Sequence, residues 1–209
     1  MRRLALLRLI SIVLLSIAAV AGDKDKAPFT SAPASSYPGH QTLDKITIAA
    51  VPFTTDEQTS SAFGKVRPYK CGILPVLVII QNDTGKALRL NLTAQFVDAG
   101  NRHIDAMPAS DVVLFDGGNK TSWKTGSSPS PSPLPLPRKQ KHGPLYAPEI
   151  EGLAFSAKLV PPGETVRGFF YFQSANEPGS RLYLTGIKDA ASGKDYFYFE
   201  PPWEDSVHE

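Results

Sequence analysis

The chain is short of cysteine, histidine and charge of one sign, and each shortage excludes something. A single cysteine, Cys71, leaves no intrachain disulfide and no cysteine-based zinc site. The four histidines are His40, His103, His142 and His208. Three of them fall in segments read below as leader, insertion and tail, which are poor platforms for a fixed site. Basic and acidic residues nearly balance, at 22 and 20. The apolar stretch Leu9 to Ala21 runs to thirteen residues, short of the ~20 that span a bilayer.

That stretch has the anatomy of an export signal. Arg2 and Arg3 precede it, Ala19-Val20-Ala21 closes it on a small-x-small pattern, and Asp23 and Asp25 follow. A cleaved signal peptide over residues 1–21 is therefore expected, in preference to a retained anchor. A lipid anchor would need a cysteine at the cleavage point, and Cys71 lies fifty residues beyond it. Removing Arg2, Arg3 and Arg8 from the 22 basic residues leaves 19 against 20 acidic ones, a net charge of −1. The apparent basicity belongs to the signal, so nothing remains to favour a nucleic-acid partner.

What the chain does contain is proline, 19 residues, with 16 glycines and a hydrophobic fraction of 42%. This is the composition of a globular protein of strands and turns rather than a helical bundle. Residues 22–43 lack a hydrophobic period and read as a flexible leader. Lys45 to Phe53 opens a strand-rich region. Thr55, Gln58 and Gly64 are placed to cap and end a short helix. Ile73 to Ile80 is almost wholly apolar and reads as a strand buried on both faces. Pro75 near its start is tolerated there but not in mid-ladder. Leu88, Leu90, Leu92, Ala94 and Phe96 alternate with polar residues, the period of a strand with one wet face. Further strands are expected at His103 to Ala106, Asp111 to Phe115, Leu153 to Val160 and Thr165 to Gln173. Arg181 to Lys188 and Lys194 to Glu200 flank Ser192-Gly193 as a hairpin.

Between them, residues 116–148 change character. Pro129, Pro131, Pro133, Pro135 and Pro137 fall at every second position. They read as an extended Pro-rich insertion, because five prolines two apart never give the three-residue separation of a PxxP ligand. The ordered region 44–201 then has the strand count and spacing of one antiparallel β-sandwich, followed by a tail at 202–209.

Several pieces in order carry a resemblance. They are Phe63-Gly64-Lys65 with Pro68-Tyr69, the run Gly72 to Asn82, Pro161-Pro162-Gly163-Glu164, Gly168 to Phe172, and Phe197 to Glu200. Together they resemble a family of uncharacterised secreted bacterial proteins of acidobacterial type, over most of residues 44–201. The resemblance implies an immunoglobulin-like β-sandwich and export. It carries over no catalytic residues, since these motifs are turn and core devices.

Sites of chemistry are few. His103 and Asp105 share a face of one expected strand, with Asp98 and Asn101 across the turn. They could be metal ligands, or a base and its orienter; the plainer alternative is a hairpin with polar residues turned outward. Gly117-Gly118-Asn119-Lys120-Thr121 lacks the ending of a phosphate loop. A Gly-x-Ser-x-Gly elbow is absent. Cys71 precedes a buried strand and is expected to be an inert core thiol. Glycosylation-type triplets at Asn82, Asn91 and Asn119 are chance matches if the chain is bacterial. Aromatic residues cluster late. Tyr196 and Tyr198 are expected on one face and Phe197 and Phe199 on the other. Tyr196, Tyr198 and Trp203 then form a candidate ligand-binding platform.

The expectation from sequence is thus an exported, periplasmic or extracellular, non-enzymatic binding or envelope-accessory protein with an all-β immunoglobulin-like fold. Its partner would be an envelope protein or glycan, with no cofactor, no nucleic acid and no membrane span after signal cleavage. The alternatives are a carbohydrate-binding module using the surface aromatics, a metal-dependent enzyme centred on His103, and a module that pairs a partner strand at an exposed sheet edge.

Overall fold

Continuous and alternating apolar runs become two antiparallel sheets in the computed structural model, which describes residues 29–115 and 143–201. The expected signal peptide, the proline run with Asn119 and the Gly117 loop, and Trp203 with the tail lie outside the described residues. Among the described residues no helix is long and apolar enough to cross a membrane.

The strands in chain order are β1 (His40–Leu43), β2 (Ile46–Pro52), β3 (Leu74–Asn82), β4 (Leu88–Val97), β5 (His103–Asp105), β6 (Leu159–Val160), β7 (Thr165–Phe172), β8 (Arg181–Asp189) and β9 (Tyr198–Phe199). The first sheet runs β1-β2-β3-β7 and the second β5-β4-β8-β9, with β6 also paired to β4. Their facing sides share one core. Ile48, Val76, Val78 and Ile80 meet Leu90, Phe96, Leu182, Leu184 and Phe199 within it, all at most 1% exposed.

β3 is buried along almost its whole length, as its sequence predicts, and the cause is a third layer. Its alternate residues Leu77 and Ile79 turn away from the shared core, and Leu77 stands opposite Phe169 of β7. On that outer side Phe63 lies 4.8 Å from Phe169 and Phe53 lies 4.9 Å from it, centroid to centroid. Three helices form the layer: α1 (Asp56–Phe63), α2 (Ala109–Leu114) and α3 (Pro148–Gly152). Tyr171 of β7 donates its hydroxyl hydrogen bond to the Ile150 carbonyl of α3 at 2.7 Å. The first sheet is thus covered on both faces. Among the described residues the second is covered on one face only.

α1 starts and stops as its residues dictate. The Thr55 hydroxyl accepts from the Gln58 backbone N–H at 3.2 Å, while the Gln58 side-chain oxygen accepts from the Thr55 N–H at 3.1 Å. This reciprocal pair satisfies N–H groups that the first turn leaves without partners. Pro75 sits where its missing N–H does little harm. Its carbonyl accepts from Phe53 at the end of the β2–β3 ladder, 2.9 Å.

Several expectations need correction. The leader ends earlier than residue 43: Ala34 is fully buried and His40–Leu43 pairs with β2. A two-residue turn with Asp44 and Lys45 at φ 49° and 64° joins them, a hairpin geometry without its usual glycine. Asp111 to Phe115 is not a strand. Pro108 caps α2 there, only Val112 of that helix is buried, and Leu114 points outward. Residues 143–148 are not spacer, since Leu145 is fully buried and Pro148 starts α3. Leu153 to Val160 is not one strand but a crossing, bridged to β7 at Ala154 and to β4 at Leu159–Val160. A further correction concerns the aromatic platform.

Candidate functional site

The outer face of the second sheet displays His103 and Asp105 from β5, Thr93 and Gln95 from β4, Tyr183 and Thr185 from β8, and Tyr198 from β9. The ladder fixes their neighbours: Gln95 pairs with Asp105 on one side and Tyr183 on the other, and Thr185 pairs with Tyr198. The Tyr183 and Tyr198 rings stack with centroids 5.5 Å apart and planes 24° off parallel. His103 meets Tyr183 edge-on at 5.9 Å.

Here the expected platform is corrected. Tyr198 is 51% exposed, but Tyr196 is 7% exposed and belongs to the shared core. The alternation fails at Phe197, whose φ of 58° turns the chain out of extended geometry, so that Phe197 points outward and Tyr196 inward. A left-handed Phe is a conformation that spacing does not announce. The partner of Tyr198 on the face is Tyr183. Its signal was its odd position in β8, between Leu182 and Leu184. Trp203 lies outside the described residues.

The histidine group is also placed. Gln95 stands between His103 and Asp105: its side-chain oxygen is 2.9 Å from His103 Nδ1, and its Nε2 donates to Asp105 at 2.7 Å. Asp98 and Asn101 are engaged elsewhere. Asp98 accepts from the Arg102 backbone N–H at 2.8 Å and from its guanidinium at 2.6 Å, and these bonds hold its carboxyl below the usual range. Asn101 accepts from Arg181 at 2.6 Å. The arrangement is a hydrogen-bonded ladder across a sheet, not a convergence of ligands. Among the described residues no group of three His, Cys, Asp or Glu is placed to hold a metal ion. Cys71 is half-buried at the end of a single 3-10 turn rather than in the core, and burial pushes its thiol up.

Beside the face lies a feature the sequence did not disclose, a cleft of about 470 Å³. Two crossing segments frame it. One continues β5: the Ala106 N–H donates to Ala94 of β4, 3.1 Å, and the Met107 N–H to Tyr171 of β7, 2.7 Å. The other is the 153–160 crossing. In it the Phe155 N–H donates to Phe169 at 3.0 Å and Lys158 accepts from Leu90 at 2.9 Å. The segments meet β7 two residues apart, roughly 7 Å, and β4 four residues apart, roughly 13 Å. The opening therefore flares toward β4.

Two glycines permit that shape. A Cβ on Gly168 would lie 2.4 Å from Phe155 Cα, so only glycine lets the second crossing press onto β7. There Phe155 stacks on Phe170 at 5.3 Å and 12°. The β4–β8 register shifts between Leu90 and Thr93, a bulge that turns Leu92 toward the cleft. A Cβ on Gly186 of β8 would lie 2.0 Å from the Asn91 carbonyl in that bulge.

A scan of the sequence against protein-family models finds no match and a search of curated proteins finds none, so the site is interpreted from its own geometry.

Proposed function

We propose that the chain is an exported, non-enzymatic β-sandwich module that binds an envelope partner through the outer face of its second sheet. Export rests on the charge, length and exit site of residues 1–21, and the immunoglobulin-like affiliation on the resemblance over residues 44–201. The observation that carries the binding reading is the Tyr183–Tyr198 stack, half-buried at Tyr183 and exposed at Tyr198, beside a ladder of polar groups, on the one sheet face that no other layer covers among the described residues. Aromatic bodies with polar neighbours suit a glycan, or the apolar patch of an envelope protein.

A glycan array with the purified protein tests this reading. Loss of a hot-spot aromatic contact costs about 1–2 kcal/mol, so Tyr198→Ala is expected to weaken any array signal about fivefold to thirtyfold. Tyr183→Ala is expected to do the same. Binding that survives Tyr198→Ala would remove the face as the glycan site. Turnover on a hydrolase panel, abolished by changing His103 or Asp105, would overturn the non-enzymatic reading in favour of chemistry at the ladder.

A further inference from the structure

We infer that the side cleft is a second binding site, for a small aromatic group carrying a cation one or two carbons away. The walls set the first half of that description. Phe155 and Phe170 stack to form one side, and Leu92, Met107 and Pro108 supply apolar and thioether surface. The volume is within the range of small-molecule sites, ~300–1,000 Å³. The opening narrows toward β7, so it admits a flat group edge-first.

Asp105 sets the second half. It is the one carboxylate among the residues lining the cleft. It stands exposed, and the Gln95 amide holds one of its oxygens at 2.7 Å. A carboxylate fixed in this way at an apolar opening selects a cation and repels an anion. The cleft is also built in advance of any ligand. Gly168 and Gly186 hold its two sides close, and the β4 bulge aims Leu92 into it. Preformed shape lowers the ordering cost of binding.

The ligand chemistry has two natural sources, a free arylalkylamine and the N-terminus of a peptide that begins with an aromatic residue. The experiment is an NMR chemical-shift titration of the intact exported chain. Its probes are 2-phenylethylamine, 3-phenylpropionate, 2-phenylethanol and the peptide amide Phe-Gly-Gly. The amine is expected to shift signals of Leu92, Met107 and Phe155 and to bind at least about fivefold tighter than the acid at low salt. Asp105→Asn is expected to bring that preference below twofold while the alcohol binds as before. Ala106→Leu and Ala154→Leu fill the cleft from opposite segments, and either is expected to abolish the shifts in a protein whose spectrum stays dispersed. Tighter binding of Phe-Gly-Gly amide than of phenylethylamine assigns the source as a peptide terminus, and the reverse assigns a free amine.

The inference is overturned if the acid or the alcohol binds as tightly as the amine. It is also overturned if Asp105→Asn leaves the preference intact, or if no probe shifts cleft signals at 10-millimolar order, the weak end of the small-ligand range. Tyr198→Ala is expected to leave all these titrations unchanged, so failure here and failure of the outer-face reading are separate results.

Discussion

Two buried polar residues do more to place the loops than any turn motif. Asn82, at the end of β3, is fully buried. Its amide donates to Lys86 at 2.7 Å and to Val160 and Pro161 at 3.0 Å, tying the β3–β4 turn to the Pro161-Pro162-Gly163-Glu164 turn. This use of its side chain also leaves no role for its glycosylation-type triplet. Asp189 does the same for the β8–β9 hairpin. It accepts from the N–H groups of Ala191 and Ser192 at 2.8 and 3.0 Å and from the Lys86 ammonium at 3.0 Å. The backbone bond from Ser192, with Lys86 next, drives its carboxyl far below the ordinary value. A carboxylate whose pKa is lower folded than unfolded stabilises the fold above the unfolded value, about 3.9, and that contribution is lost as pH falls through the folded one. The denaturation midpoint of the wild type is therefore expected to fall more steeply below about pH 4 than that of Asp189→Asn. Equal slopes, measured by urea titration at pH 2.5 to 6, would show that Asp189 is not the linked group.

Among elements, the sequence discloses those whose signals are local. The capping box of α1, the all-apolar β3 and the β4 alternation are each written within a dozen residues, and each forms where expected. What it does not disclose depends on partners far along the chain. α2 and α3 are short helices that contact each other and the first sheet, across the stretch 116–142, and neither has a helical period long enough to read. The crossing at 153–160 depends on Gly168, and the β4 bulge on Gly186, ninety-five residues after Asn91. Of the candidate face, Tyr198, His103 and Asp105 were readable as site residues. Tyr196 was misplaced by the left-handed Phe197, and Tyr183 was missed although its place between Leu182 and Leu184 puts it on the outer face, because its stacking partner lies on another strand. The bulge offers a direct test. Gly186→Ala combines strain at φ 91° with a clash on Asn91 and is expected to cost about 2–5 kcal/mol. Gly193→Ala, at φ 73° with open space around it, is expected to cost about 1 kcal/mol. Equal melting-temperature losses for the two would contradict the account of the bulge.

At the scale of the molecule, three layers decide which surface is free. Phe63 and Ile150 of the helices, with Phe53 just after β2, seal the outer side of the first sheet, and the shared core takes its inner side. Among the described residues the second sheet has no such cover, and its outer face holds the stacked tyrosines and the Gln95 ladder. The 106–109 and 153–160 segments close the β4–β7 side except at the cleft. Function is thus proposed where the fold leaves a structured surface uncovered, with the protein's partner meeting β8 and β9.

Site-specific photocrosslinking of the full chain in its native cells tests that claim most directly, with a benzophenone residue placed at Thr185, beside Tyr198 in the ladder, or at Glu57 on α1. The account predicts a discrete adduct from Thr185 that disappears with Tyr198→Ala, and none from Glu57. Adducts from Glu57 alone, or a Thr185 adduct indifferent to Tyr198→Ala, would contradict it.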